Sequence, residues 1–383
     1  MSTRSVEVDD LATFDARSAR AGALRDWFVS SLDLTGRTAE LLHRDVRGSV
    51  FLGCRFATEP VDVAADLRAR GALLFPALPD VPFDPYRPTL YSPEELYGVD
   101  ASGTQPPYAQ SPDATTWAWS RSRRGRTLTA DLAATLHDHS IDGALDDTTG
   151  PLDPARVVGV MGGHALRRGD PAYAAAARLG AGLGRAGKVV LTGGGPGAME
   201  AANLGAYLAP YLDAADGERA DALAGALGEL AGSPDYAVDV DAWAGAAFAV
   251  RRRWSPEGAG TSLSVPTWFY GHEPTNVFGT QIAKYFANAL REDTLLHRCG
   301  GGIVFAPGAS GTVQEVFQSA NDRYYATRGL GSAPLVLLGV EHWTRTLPAW
   351  PLLEALARDS PMADAVHVVD GVDEALALVT ARS

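Results

Sequence analysis

The sequence predicts an α/β protein built on a doubly wound parallel sheet of Rossmann-like layout, with a smaller α/β region towards its N-terminus. Three observations predict it. From residue 156 onward, short runs of β-branched and aliphatic residues alternate with helix-length segments. Those runs are apolar throughout, as strands covered on both faces must be. Glycines gather where the runs end and the helices begin, the edge at which such sheets bind ligands.

The elements follow in order. "SVFLGCRF" (49–56) and "GALLFPA" (71–77) read as strands and "RTLTADLAATLHDHS" (126–140) as a helix. Between them, residues 76–98 carry too many prolines for regular structure. "DGALDDTTGPLDP" (142–154) reads as a linker, which divides the chain into an N-terminal region, 1–150, and a nucleotide-binding domain, 151–383. In the latter, "RVVGVMGG" (156–163) is a strand. A helix follows over 170–187, with Asp170 at its cap and Pro171 at its first position. "KVVLTGGG" (188–195) is the next strand and 196–209 the next helix, with Pro196 in its first turn. Residues 275–298 read as helical, 301–308 as a strand, and 310–325 as a helix. Strands at 333–339 and 365–370, an intervening helix, and a helix over 372–382 complete the series.

Composition narrows the function. A net charge of −13 argues against a nucleic-acid surface, which needs a basic field. The basic runs at 120–126 and 251–254 read as solvated faces, and Lys188 and Lys284 are the only lysines. Two cysteines, Cys54 and Cys299, suggest neither a disulfide framework nor a metal site. His137 and His139 form an HxH pair without further ligands nearby, so no metal is expected. The polar, acidic first residues are no secretory signal, and no run of 18 apolar residues occurs. A soluble, cytoplasmic protein is the expectation.

Two turns carry the chemistry. In "TGGGPGAMEAAN" (192–203), Gly193, Gly194, Gly195 and Gly197 let backbone amides approach an anion at a helix N-terminus. Met199 reads as a pocket wall. Gly193, Gly195 and Ala198 also satisfy a relaxed dinucleotide fingerprint, but no acidic residue ends a strand about 20 residues on; Asp213 lies in a helical or loop stretch. In "PGASGT" (307–312), Gly308 and Gly311 free the backbone while Ser310 and Thr312 offer hydroxyls. No lysine follows, so this is not a P-loop, and a monophosphate suits it better than a triphosphate. From the second turn of the ensuing helix, Glu315 can reach a ribose whose 5′-phosphate occupies the turn.

Together these two motifs resemble the LOG-type ("lonely guy") phosphoribohydrolases, and "GPGAMEA" is most similar to their larger bacterial nucleotide 5′-monophosphate nucleosidases. The resemblance covers roughly residues 155–375. It implies a Rossmann-like fold, a homodimer or higher oligomer, no cofactor, and cleavage of nucleoside 5′-monophosphates to base and ribose 5-phosphate. It assigns the catalytic pair to Glu315 and Arg291, and adds Glu200 to the phosphate-binding set. Asn276, in "YGHEPTN" (270–276), becomes a base or ribose contact, and His272 a structural residue. Ala309 stands where the family has a glycine, and Glu292 follows Arg291 where the family has a second basic residue. The alternatives are a nucleotide- or cofactor-carrying protein of the same fold without hydrolysis, and an NAD-dependent oxidoreductase.

Overall fold

A computed structural model describes residues 6–212, 222–271, 273–325 and 332–381. Asp213 and His272 lie outside the described residues. The chain forms two units, Met1–Thr89 with Ala118–Ala144, and Leu90–Trp117 with Leu145–Ser383. This differs from the division expected at residue 150. The expected linker is largely the end of one long helix, Leu128–Thr149, because Ala144 and Leu145 favour helix and glycine at 143 alone does not break it.

In the smaller unit, β1 (Val6–Val8), β2 (Trp27–Ser30), β3 (Val50–Leu52) and β4 (Leu73–Phe75) pair in parallel, in chain order. The helices Leu11–Arg20, Thr38–His43 and Val63–Ala69 connect them. Register steps by 21, 22 and 23 residues, from Val6 to Trp27, Phe28 to Val50 and Val50 to Leu73. That near-constant step makes the unit a short βα solenoid, in which each rung buries its neighbour's side chains. Buried Leu24, Trp27, Val29 and Leu32 recur one rung on as Val46, Ser49, Phe51 and Cys54. The Cys54 thiol donates to the Val29 carbonyl at 3.3 Å, and burial pushes it up to about 11.

The larger unit holds seven strands in the order β11-β10-β9-β5-β6-β7-β8, every pairing parallel. They are β5 (Val157–Met161), β6 (Val189–Thr192), β7 (Ser262–Ser264), β8 (Gln281–Ile282), β9 (Gly302–Phe305), β10 (Leu335–Leu338) and β11 (Val366–Val369). The chain runs outward from β5 to β8, then returns to the other side of β5 and runs outward again to β11. Right-handed crossovers therefore put the two sets of helices on opposite faces, and the strand order reverses between β5 and β9. The Ala- and Gly-rich helices Pro171–Arg185 and Ala198–Leu212 approach so closely that a methyl on Gly180 would strike the Ala202 backbone.

The expected helix over 275–298 is helical only at Asn288–His297. Before it, β8 adds to the sheet, and the rest of the segment is held by an internal ion pair. Lys284 and Asp113, each about 1 % exposed, meet at 2.6 Å. Lys284 also donates to Thr275 Oγ1 at 2.7 Å, and Trp268 Nε1 donates to Asp113 at 2.8 Å. Burial pulls the Lys284 ammonium down and Asp113 opposes that shift. Among the described residues, no helix is long and apolar enough to cross a membrane.

Removing one partner of such a pair strands the other charge. Lys284→Ala should destabilise the larger unit by about 3–5 kcal/mol. Urea denaturation of the variant against the parent measures this; a loss within the scatter of surface substitutions would contradict it.

Candidate functional site

The loops leaving β5, β6, β7, β9 and β10 enclose a cavity of about 610 Å³ over the carboxyl edge of the larger sheet, across the point where strand order reverses. Gly193, Gly194, Gly195, Met199, Arg291, Gly308, Ser310, Gly311, Thr312 and Glu315 all line it, as do Glu273, Glu292, His164 and His342.

The first turn is fixed from below. Thr192 Oγ1 accepts from the Gly194 amide at 3.0 Å and donates to Asn203 Oδ1 at 2.6 Å. Gly194 and Gly197 have φ of +72° and +74°, and a Cβ on Gly197 would run into the Gly163 carbonyl, so both positions require glycine. Pro196 precedes this left-handed residue, and the helix begins only at Ala198; Pro196 is therefore a turn residue outside the first helical turn.

Two expected contacts are structural instead. Asn276 is fully buried: its amide nitrogen donates to Gly195 O and to Asn203 Oδ1, each at 3.1 Å, and its side-chain oxygen accepts from Phe278 N. Its backbone N–H also holds Gly194 O at 2.9 Å. A trans peptide then points the Gly195 N–H away from Asn276. Asn276 thus aims the turn, with no polar group left for a base or ribose. Glu200 is likewise enclosed, paired with Arg168, whose guanidinium lies 4.1 Å over Trp243. Gly197 and Glu200 border a smaller adjoining pocket and not the main cavity.

At the second turn, the helix Ser310–Tyr324 starts at the cavity with Ala309 as its N-cap. Its first amides have no intrahelical acceptor and are available to an anion. Ala309 has φ −110°, a conformation open to any residue, so alanine in place of glycine introduces no strain. His342, which begins the helical segment His342–Thr346 after β10, makes a 3.1 Å hydrogen bond to Gly308 O; the carbonyl can only accept, so Nε2 carries the proton. Gly311 is different from the other glycines. It is helical, has no positive φ, and a Cβ there would meet nothing within 4 Å. Neither backbone nor packing requires it, and it lines the cavity without a side chain.

Between the turns, two helices bring Arg291 and Glu315 together, with Nη1 3.5 Å from Oε1. Arg291 Nη2 donates to Asn288 Oδ1 at 2.9 Å, while its buried Nε has no hydrogen-bond partner. Burial pushes the Glu315 carboxyl up to about 7; the Arg291 charge opposes this and Glu292 adds to it. Such a carboxyl changes charge at neutral pH, the range in which an acid–base group is useful. Glu292 accepts from Asn288 Nδ2 at 2.8 Å and from Gln314 Nε2 at 2.5 Å. His164 Nδ1 lies 3.4 Å from Glu273 Oε1 at the opposite wall. Among the described residues, no group of three His, Cys, Asp or Glu side chains is placed to hold a metal ion.

No protein-family model matches this chain, and no curated protein does. Among solved structures, the molybdenum cofactor binding protein from the phototrophic bacterium Rippkaea orientalis aligns over 59% of this chain and 95% of its own, with 16% identity and a TM-score of 0.36. A likeness at that level carries no argument about function.

The free space at Gly311 yields a test separable from folding. Gly311→Leu should leave the melting temperature unchanged or raise it, since leucine gains about 0.5–1 kcal/mol over glycine in a helix. It should also abolish nucleotide binding measured by calorimetry. Undiminished binding would mean that the cavity floor does not receive the ligand.

Proposed function

We propose that the cavity binds a nucleoside 5′-monophosphate and hydrolyses its N-glycosidic bond, as the two motifs suggest. The observation that carries the reading is the meeting of Arg291 and Glu315 between two glycine turns, where burial raises the Glu315 carboxyl. The 5′-phosphate lies against the first amides of the helix Ser310–Tyr324 and the hydroxyls of Ser310 and Thr312. The turn Gly193–Gly195 closes over the ribose. Its C1′ faces Glu315.

The chemistry then follows from charge. As the bond from C1′ to the base lengthens, its electron pair leaves with the base and C1′ gains oxocarbenium character. The Glu315 carboxylate stabilises that charge and takes a proton from the water whose oxygen bonds to C1′. Arg291 orients Glu315 through Nη1. The reading calls for no cofactor, and includes a cytoplasmic homo-oligomer as the working form.

Glu315→Gln should retain nucleotide binding and lose about 100- to 1,000-fold in kcat. The active form is the carboxylate, so kcat/KM of the parent should rise with pH to a midpoint near 7 and fall below it with unit slope. Assays of AMP, GMP, CMP, UMP and IMP for free base and ribose 5-phosphate measure both. Turnover undiminished in the variant would remove Glu315 from the mechanism; nucleotide bound without product would instead mark a carrier.

A further inference from the structure

We infer that the base carried by the substrate of this cavity is positively charged until the glycosidic bond breaks, so that the substrate class is an N-ribosyl 5′-phosphate with a quaternary glycosidic ring system. The inference rests on the glycosidase reading and adds to it the charge of the leaving group.

Glu292 carries the argument. It is 4 % exposed and lines the cavity beside Glu315. Its two oxygens accept from the side-chain amides of Asn288 and Gln314, the pattern of an ionised carboxylate. Those partners are neutral, and among the described residues no cation pairs with it. The nearest guanidinium, Arg291, already faces Glu315. Two carboxylates therefore share one cation, and the excess is visible in Glu315, which Glu292 pushes towards its neutral form. At the far wall Glu273 adds a third carboxylate, set against His164. Buried negative charge without a cation is unfavourable unless a ligand supplies one. The turn amides serve the phosphate, so the compensating charge belongs at the other end of the nucleotide.

The departure step points the same way. A neutral base must gain a proton as it leaves. His342 holds its Nε2 proton on Gly308 O beside the phosphate turn, and His164 faces Glu273. Glu315 is needed as the carboxylate. A quaternary base requires no proton: the electron pair of the C1′–N bond returns to the ring nitrogen and cancels its charge. Water supplies the oxygen to C1′, its proton passes to Glu315 and then to solvent, and one proton is released per turnover.

Charged N-glycosides are intrinsically more labile, so affinity is the discriminating readout. Calorimetry on the Glu315→Gln protein would compare nicotinamide mononucleotide with its reduced, uncharged form, and N7-methylguanosine 5′-monophosphate with GMP. Each charged nucleotide should bind at least about tenfold more tightly than its neutral partner, and adding Glu292→Gln should remove most of that difference. Wild-type turnover of the charged pair should release one proton per base. Equal affinity within each pair, or the same difference without Glu292, overturns the inference. Glu315-dependent turnover of GMP at the same time would leave the glycosidase reading standing. Turnover of no nucleotide would remove that reading and this inference together. Should the double variant fail to fold, the single-variant affinities decide.

Discussion

A carboxylate taken out of water beside a single guanidinium is the constraint on which the site depends. Glu315 belongs to a helix whose first turn faces the cavity, and one and a half turns later the same helix carries it to the cavity wall. Its environment favours the neutral acid, raising its titration from 4.5 to about 7. In the unfolded chain it ionises lower, so its contribution to stability is intact below pH 4.5 and is lost as pH rises through 7. Each tenfold change in an acid's ionisation constant is worth about 1.4 kcal/mol, so the charged form costs the fold about 3 kcal/mol. On the role proposed for Glu315, function at neutral pH and maximal stability pull in opposite directions at this one residue.

The remainder of the larger unit holds that arrangement still. Thr192, Asn203 and Asn276 form a hydrogen-bonded column under the first turn. Gly163 accepts from Ala198 and donates to Pro307, linking the loops after β5, β6 and β9. The Lys284–Asp113 pair anchors the far wall through Thr275. Each of these groups is satisfied inside the protein; in Arg291, by contrast, a buried donor is left over.

Much of this is legible in the sequence, and the failures have physical causes. Apolar runs such as "KVVLTGGG" (188–195) locate the strands because buried parallel strands carry no alternation. The residues themselves lead to both glycine turns and to Glu315, and the family resemblance adds Arg291. Asn276 and Glu200 mislead because a polar residue near a motif looks the same whether it faces the ligand or braces the turn; only burial and partners distinguish them. Residues 275–287 read as helix because the ion pair that draws them onto the wall joins positions 171 residues apart in sequence, Asp113 and Lys284. His342 does not announce itself as a cavity residue, since it reaches the cavity from a segment without a motif. The solenoid repeat in the smaller unit has a signal, the recurrence of Leu24, Trp27, Val29 and Leu32 in Val46, Ser49, Phe51 and Cys54. Its rungs differ too much in residue type for that spacing to stand out.

The central claim is that the fold holds Glu315 as an acid that titrates near neutrality. Carboxyl-carbon NMR of protein labelled at glutamate side chains, with Glu315→Gln to assign the resonance, measures it without substrate. A Glu315 midpoint near 7 is the predicted result. A midpoint near 4.5, the ordinary value for a solvated glutamate, would contradict the account.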